Sequence, residues 1–274
     1  MSSPRRAIAI VVNGPSSAGK STLCTALHRA LVRRCATDPR LAFFRVSFDD
    51  FLYAVHPSML PRSFLELTGG DLENCASREP HDGLACFEYV DMTGADDEDT
   101  TDRLARLELS EAGERFLKGQ TAGWGKHLEL GTNLLIDAFL QEKHWADDLR
   151  EAIHNSGAKV INVVMTCNQA ELERREKQRG DRFPGMARHS AGVVHKHKHG
   201  ETDLGIDETV STDDAVNSIL HHLDGLEASV NDTPGQTALT AQTGDVKGVI
   251  QRLQSKVQRA MESRSRLEAE NRRK

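Results

Sequence analysis

Residues Gly14-Pro15-Ser16-Ser17-Ala18-Gly19-Lys20-Ser21-Thr22 spell a complete G-x-x-x-x-G-K-[ST] phosphate loop, and its flanks narrow the choice of fold sharply. Ahead of it, Ala7-Ile8-Ala9-Ile10-Val11-Val12 is continuously apolar and rich in β-branched residues, the pattern of a strand buried on both faces. Behind it, Leu23, Leu27, Ala30 and Leu31 recur on one side of a helix. Strand, glycine loop and helix in this order predict an α/β fold built on a parallel sheet.

Each residue type in the loop has a physical reason. Gly14 and Gly19 are expected to allow positive φ and close backbone approach, so that successive N–H groups turn inward around a phosphate at the positive end of the next helix. Lys20 is expected to reach β- and γ-phosphates as a point charge, and the Ser21 hydroxyl suits Mg²⁺, a hard cation that prefers oxygen. Gly14, Ser16, Ser17, Ala18, Gly19, Lys20, Ser21 and Thr22 are therefore candidate nucleotide-binding residues.

Composition excludes several classes. The chain has 274 residues, a formal charge of −6 and 38% hydrophobic residues, enough for a substantial core but without general attraction to nucleic acid or anionic membrane. Cys24, Cys35, Cys75, Cys86 and Cys167 are widely spaced and include no C-x-x-C pair, which points to free thiols in a reducing compartment. Pro4-Arg5-Arg6 and the apolar run after it imitate a signal peptide, but the run is short and leads straight into the phosphate loop. With no stretch approaching the roughly 20 apolar residues of a membrane span, a cytoplasmic protein is expected.

Further along, Leu41 to Phe48 reads as the second strand, with Asp49-Asp50 at its carboxyl end. Ligands of open parallel sheets bind beyond the carboxyl ends of the strands, so this acidic pair shares an edge with the phosphate loop. Asp49 is the candidate base that accepts a proton from an acceptor hydroxyl; Asp50 could serve instead, or the pair could cap the next helix. From about residue 67 to 107 periodicity fades and acids accumulate, notably Asp96-Asp97-Glu98-Asp99, which suits either a solvated insertion or a lid. A long helix is expected from about Ser110 to Leu130, with Phe116, Leu117 and Trp124 available for packing.

Asn133-Leu134-Leu135-Ile136-Asp137 reads as a third strand ending in an acid, the Walker-B arrangement, so Asp137 joins Ser21 as a candidate Mg²⁺ residue. A helix over Trp145–Ile153 and a fourth strand over Ala158–Met165 follow. Arg175, Arg179 and Arg182 stand at i, i+4 and i+7, on one helix face. That stripe suits either a lid closing on a nucleoside triphosphate or a solvent face salt-bridged to Glu171, Glu173 and Glu176. Gly180 and Pro184-Gly185 provide a break where a lid could hinge. His195-Lys196-His197-Lys198-His199 alternates like a strand and suits a solvated basic hairpin better than a metal site. A short fifth strand is expected at Asp203–Asp207, then a helix through Ala215, Val216, Ile219 and Leu220.

The catalytic domain is thus expected over residues 1–226, a polar linker over 227–245 and an amphipathic C-terminal helix over 246–274. In that helix Val246, Ile250, Leu253, Val257, Ala260 and Leu267 form a short stripe, suited to packing on its own domain or to homo-oligomer formation.

The phosphate loop with Ser-Ser-Ala inside it, followed by Arg175-Glu176-x-x-Arg179-Gly180-Asp181-Arg182-x-x-Gly185-x-Ala187, resembles the chloramphenicol phosphotransferase-like family. Val193-Val194-His195 and Asp203-x-x-x-Asp207 are similar to that family's pattern as well, and the resemblance spans roughly residues 7 to 222. It implies a P-loop kinase fold of the nucleoside monophosphate kinase kind, three-layered, with a central five-stranded parallel sheet. It also implies γ-phosphoryl transfer from ATP with Mg²⁺, Asp49 as base, Lys20 and Ser21 on phosphate and metal, and a lid of Arg175, Arg179 and Arg182. The expected acceptor is a hydroxyl on a small molecule. A nucleoside or other metabolite kinase, or an ATP-binding sensor without efficient transfer, uses the same apparatus.

Overall fold

The apolar run ahead of the phosphate loop forms β1 (Ile8–Asn13), buried at every residue. The computed structural model describes residues 6–50, 86–92, 104–179, 183–196 and 202–231. Four further strands, β2 (Phe43–Ser47), β5 (Asn133–Ala138), β6 (Lys159–Met165) and β7 (Leu204–Ile206), join β1 in a five-stranded parallel sheet. Its order is β2-β5-β1-β6-β7, which puts β1 at the centre. Register pairs Val12 with Asp137 on one side and with Val163 on the other.

The period of two in β1 divides the interior into two layers. Ile8, Ile10 and Val12 pack with Leu23, Leu27 and Leu31 of α1 (Lys20–Cys35) and with Ile219 and Leu223 of α6 (Thr212–Asn231). Ala9 and Val11 point to the opposite face, against Trp124 and Leu128 of α2 (Glu111–Glu129) and Trp145 and Leu149 of α3 (Lys143–Ser156). A sheet so covered on both faces is the three-layer α/β architecture that the βαβ succession predicts. Two shorter helices, α4 (Gln169–Arg179) and α5 (Met186–Val193), lie between β6 and β7.

Local chemistry sets the ends of these helices. Ser110 Oγ accepts from Gly113 N–H at 3.3 Å at the start of α2, with Glu111 and Glu114 in the first turn to suit the helix dipole. Gly157, at φ 68°, closes α3 in the left-handed conformation. Leu117 and Trp124 pack as expected, whereas Phe116 points outward and is exposed.

Three expectations are corrected. Within the stretch read as lacking periodicity, β3 (Phe87–Asp91) and β4 (Ala105–Leu109) pair antiparallel. Their apolar residues alternate over only five positions each, interleaved with Glu88, Arg106 and Glu108, too brief to stand out from charged surroundings. Residues 227–231, expected to open the linker, continue helix α6, which runs to Asn231. His195 and Lys196 belong to a 3₁₀ turn, Val194–Lys196, rather than a strand. The chain divides into two units, Met1–Glu227 and Ala228–Lys274, and the C-terminal helix expected over 246–274 lies outside the described residues. So do the acidic run at 96–99 and His197 to His199. Among the described residues, no helix is long and apolar enough to cross a membrane.

Candidate active site

The phosphate loop leaves β1 and enters α1 through two left-handed residues, Ser17 at φ 63° and Gly19 at φ 97°. Ser17 is the only non-glycine with positive φ among the described residues. Gly19 is the N-cap of α1 and supplies no side-chain hydrogen bond, so the helix start carries its positive partial charge toward the loop. Of the two reasons expected for Gly14, positive φ does not apply, whereas close backbone approach does. A Cβ there would stand 2.7 Å from the Met165 carbonyl oxygen at the end of β6, so close strand approach demands glycine.

Lys20 follows directly, and its Nζ donates to the Pro15 carbonyl at 2.8 Å and lies 5.4 Å from the centroid of the Phe139 ring. Ser17 Oγ is buried and has no hydrogen-bond partner among the described residues. A left-handed turn, an open helix start and an unsatisfied buried hydroxyl together fit an anionic phosphate group.

Two hollows meet at this loop. The inner one, about 70 Å³, is lined on one side by Ser16, Ser17, Gly19, Lys20, Ser21 and Thr22, with Asp49, Asp137 and Arg179 around it. Tyr89, Leu107, Phe139 and Met186 form its apolar wall. The outer cleft, about 430 Å³, runs past Ala18, Gly19 and Thr22 to Arg175, Arg179, Asp207 and Thr212. Only the outer cleft has the size, roughly 300–1,000 Å³, typical of small-molecule sites.

Of the acidic pair after β2, Asp49 lines the inner hollow, whereas Asp50 Oδ2 accepts from Ser47 N–H at 2.7 Å and holds the turn. Asp137 is 4% exposed and Arg45 Nη2 donates to its Oδ2 at 2.9 Å. Arg45 also donates from Nη1 to Thr25 Oγ1 at 2.8 Å, and Thr25 Oγ1 in turn donates to the Ser21 carbonyl at 2.7 Å. Cys24 sits buried beside this network, its thiol pushed up by burial and, secondarily, by the Asp137 charge. Ser21 and Asp137 offer hard oxygen donors in one hollow, which fits Mg²⁺ held mainly by water and phosphate oxygens. Among the described residues, no cluster of three or more His, Cys, Asp or Glu could hold a metal alone.

Two of the three stripe arginines, Arg175 and Arg179, fall among the described residues, and both stand beside the phosphate loop. Arg179 lines both hollows, and Arg175 donates from Nη1 to the Ala18 carbonyl at 3.2 Å and from Nε to Glu171 at 2.7 Å. Arg182, Gly180 and Asp181 lie outside the described residues. Sequence reasoning missed Arg45, Ser190 and the wall of Tyr89 and Leu107. It also grouped Glu176 with the solvent-facing carboxylates, whereas Glu176 is 6% exposed and accepts two backbone N–H groups.

The model of the family described as chloramphenicol phosphotransferase-like protein matches residues 7–224. The chain belongs to this family. A family relative from Mycobacterium tuberculosis, named as a candidate O-phosphotransferase and found in two strains, is 26% identical over 202 residues, covering 74% of this chain and 75% of the relative. Solved structures similar to this chain include an APS kinase of Mycobacterium tuberculosis in complex with AMPPNP and APS, at 14% identity and a TM-score of 0.49. That likeness covers 81% of this chain and 99% of the kinase. A gluconokinase from Sinorhizobium meliloti 1021 is 15% identical with a TM-score of 0.45, over 84% and 99% of the two chains. As a family member, this chain is a phosphotransferase of the kinase type.

Proposed function

We propose that the protein moves the γ-phosphoryl group of ATP to a hydroxyl of a small molecule. The observation that carries this reading is the shared lining of the inner hollow, where Lys20, Ser21, Asp49, Asp137 and Arg179 converge. In a phosphoryl transfer the protein contributes chiefly position and charge, and these residues are the types required.

The outer cleft has room for the body of the nucleotide, and the loop N–H groups and Lys20 hold its phosphates. Asp49 accepts the proton of the incoming hydroxyl. Arg179, reaching the hollow from α4, neutralises charge that grows on the transferred group, with Arg175 braced over Ala18. Ser21 and Asp137 are the residues that would hold Mg²⁺, which would neutralise charge on the phosphate oxygens. Tyr89, Leu107, Phe139 and Met186 face the acceptor and exclude water, whose attack would waste ATP.

The test follows γ-phosphoryl transfer from ATP with Mg²⁺ to chloramphenicol and a pool of hydroxylated metabolites, with Asp49→Asn in parallel. Transfer to one compound, lost in the variant, is expected. Nucleotide binding with no transfer to any acceptor would move the assignment to an ATP-binding sensor.

A further inference from the structure

Arg175 and Arg179 stand on α4, while the phosphate loop leaves β1, more than 150 residues earlier in sequence. The two are joined by buried hydrogen bonds through α5. Glu176, on α4, accepts from Gly185 N–H through Oε2 at 2.8 Å and from Ala187 N–H through Oε1 at 2.8 Å. Those are the N-cap and an early position of α5, so the carboxylate also meets the positive end of that helix. One turn further along the same helix, Ser190 is fully buried; its Oγ accepts from Ser16 N–H at 2.9 Å and donates to the Ala187 carbonyl at 3.1 Å. Arg188 adds a tie from α5 back to α4, donating from Nε to Glu173 at 2.8 Å.

We propose that Glu176 and Ser190 are positioning residues that lock the arginine helix and the phosphate loop into one unit through α5. The proposal rests on the phosphotransferase reading above, since it gives the arginines their task. A buried carboxylate is costly unless fully hydrogen-bonded, so Glu176 has little freedom to leave its two donors. Gly185, at φ 94°, turns the chain so that both N–H groups point at one side chain. Ser190, for its part, takes a loop N–H out of the phosphate cradle and uses it to fix where the cradle sits. The spacing of Glu176, Gly185 and Ala187 in the sequence thus has a geometric cause. Filling the loop must then tighten α5, and moving Glu176 must misplace Arg175 and Arg179 without emptying the loop.

The experiment titrates the full-length protein by calorimetry with ADP and Mg²⁺, with and without aluminium fluoride, which imitates the transferring phosphoryl group. The wild type is expected to bind ADP and to gain affinity with fluoride. Glu176→Gln should keep ADP affinity within about threefold yet lose about 10- to 100-fold of the fluoride gain, the scale on which misplacing a transition-state group acts. Ser190→Ala should weaken both complexes together, by about tenfold, because it loosens the loop itself. A Glu176→Gln protein with the wild-type gain, or one that loses ADP binding to the same extent as the fluoride complex, overturns the proposal. A wild type that binds ADP without a fluoride gain overturns it too and leaves nucleotide binding standing. A wild type that binds no ADP sinks the phosphotransferase reading, and the proposal with it. Hydrogen exchange on the wild type gives an arm independent of folding in the variants: ADP should slow exchange at Gly185 and Ala187. Slowing confined to the loop amides would refute the coupling.

Discussion

Arg45 reaches diagonally from β2 to β5 and donates to Asp137 at 2.9 Å, so the acid at the end of the third predicted strand is already ion-paired inside the sheet edge. The pair is asymmetric in exposure, with the Asp137 side chain 5% exposed and that of Arg45 29%. Removing the arginine leaves a nearly buried carboxylate without its partner, which costs far more than an exposed pair contributes. Arg45→Met is expected to lower unfolding free energy by about 1–3 kcal/mol, discounted for the solvent that reaches Arg45. Urea denaturation measures this. The double variant with Asp137→Asn should lose less than the sum of the single losses, because the two residues are in direct contact.

Asp49 and Asp50 are neighbours in different surroundings, Asp49 lining the hollow and Asp50 holding the turn. Asp49→Asn is expected to reduce phosphoryl transfer by about 100-fold or more, with little change in stability, on the usual scale for an acid–base group. Asp50→Ala removes the acceptor of Ser47 N–H and should cost about 0.5–1.5 kcal/mol while transfer persists. Paired turnover and melting measurements separate the two. Loss of transfer in Asp50→Ala with full activity in Asp49→Asn would reverse the assignment.

Gly14 tests close approach rather than backbone freedom. Since a Cβ would lie 2.7 Å from Met165 O and 3.0 Å from Met165 Cβ, Gly14→Ala must push β1 from the end of β6. A loss of about 1–3 kcal/mol is expected, together with weaker nucleotide binding, as for other overpacked sites. Chemical denaturation and nucleotide titration read both effects.

Helix α4 has a defined acid limit. Hydrogen bonds from Arg174 and Arg175 hold the Glu171 carboxyl at about 2, below its ordinary 4.5. A carboxyl depressed in the fold binds fewer protons folded than unfolded, so stability rises with pH across the interval between the two values. The Glu171 contribution is therefore complete above about pH 4.5 and disappears as the pH falls to about 2. Carboxyl NMR titration of Glu171 should give a midpoint near the lower value. Glu171→Gln should remove this part of the acid dependence, and an unshifted midpoint near 4.5 would show that Arg175 is not held by Glu171.

Much of the sheet was readable because its strands are apolar runs bounded by loops, and buried parallel strands need little else. The phosphate loop was readable for a similar reason, since its motif lies in one contiguous segment, residues 14–22. Glu176 was not: on a helix rich in charge it looks like one more solvated acid, and only the return of the chain at Gly185 and Ala187 buries it. Ser190 is equally silent in sequence, a small polar residue in an eight-residue helix. The β3–β4 hairpin escaped notice because five-residue strands interleaved with charges carry weak alternation.

By itself, then, the sequence determined the α/β class, the central strand, the phosphate loop and the acids at the strand ends, because each of these is encoded in local, contiguous stretches of the chain. The tertiary structure decided which acid faces the hollow, which one pairs with Arg45, why Gly14 is glycine, and how the arginine helix is tied to the loop. Those relations join residues up to 174 positions apart, as in the bond from Ser16 to Ser190. No local pattern specifies such a pair, since the burial that makes the bond worth keeping exists only after the sheet and its helices have closed around it.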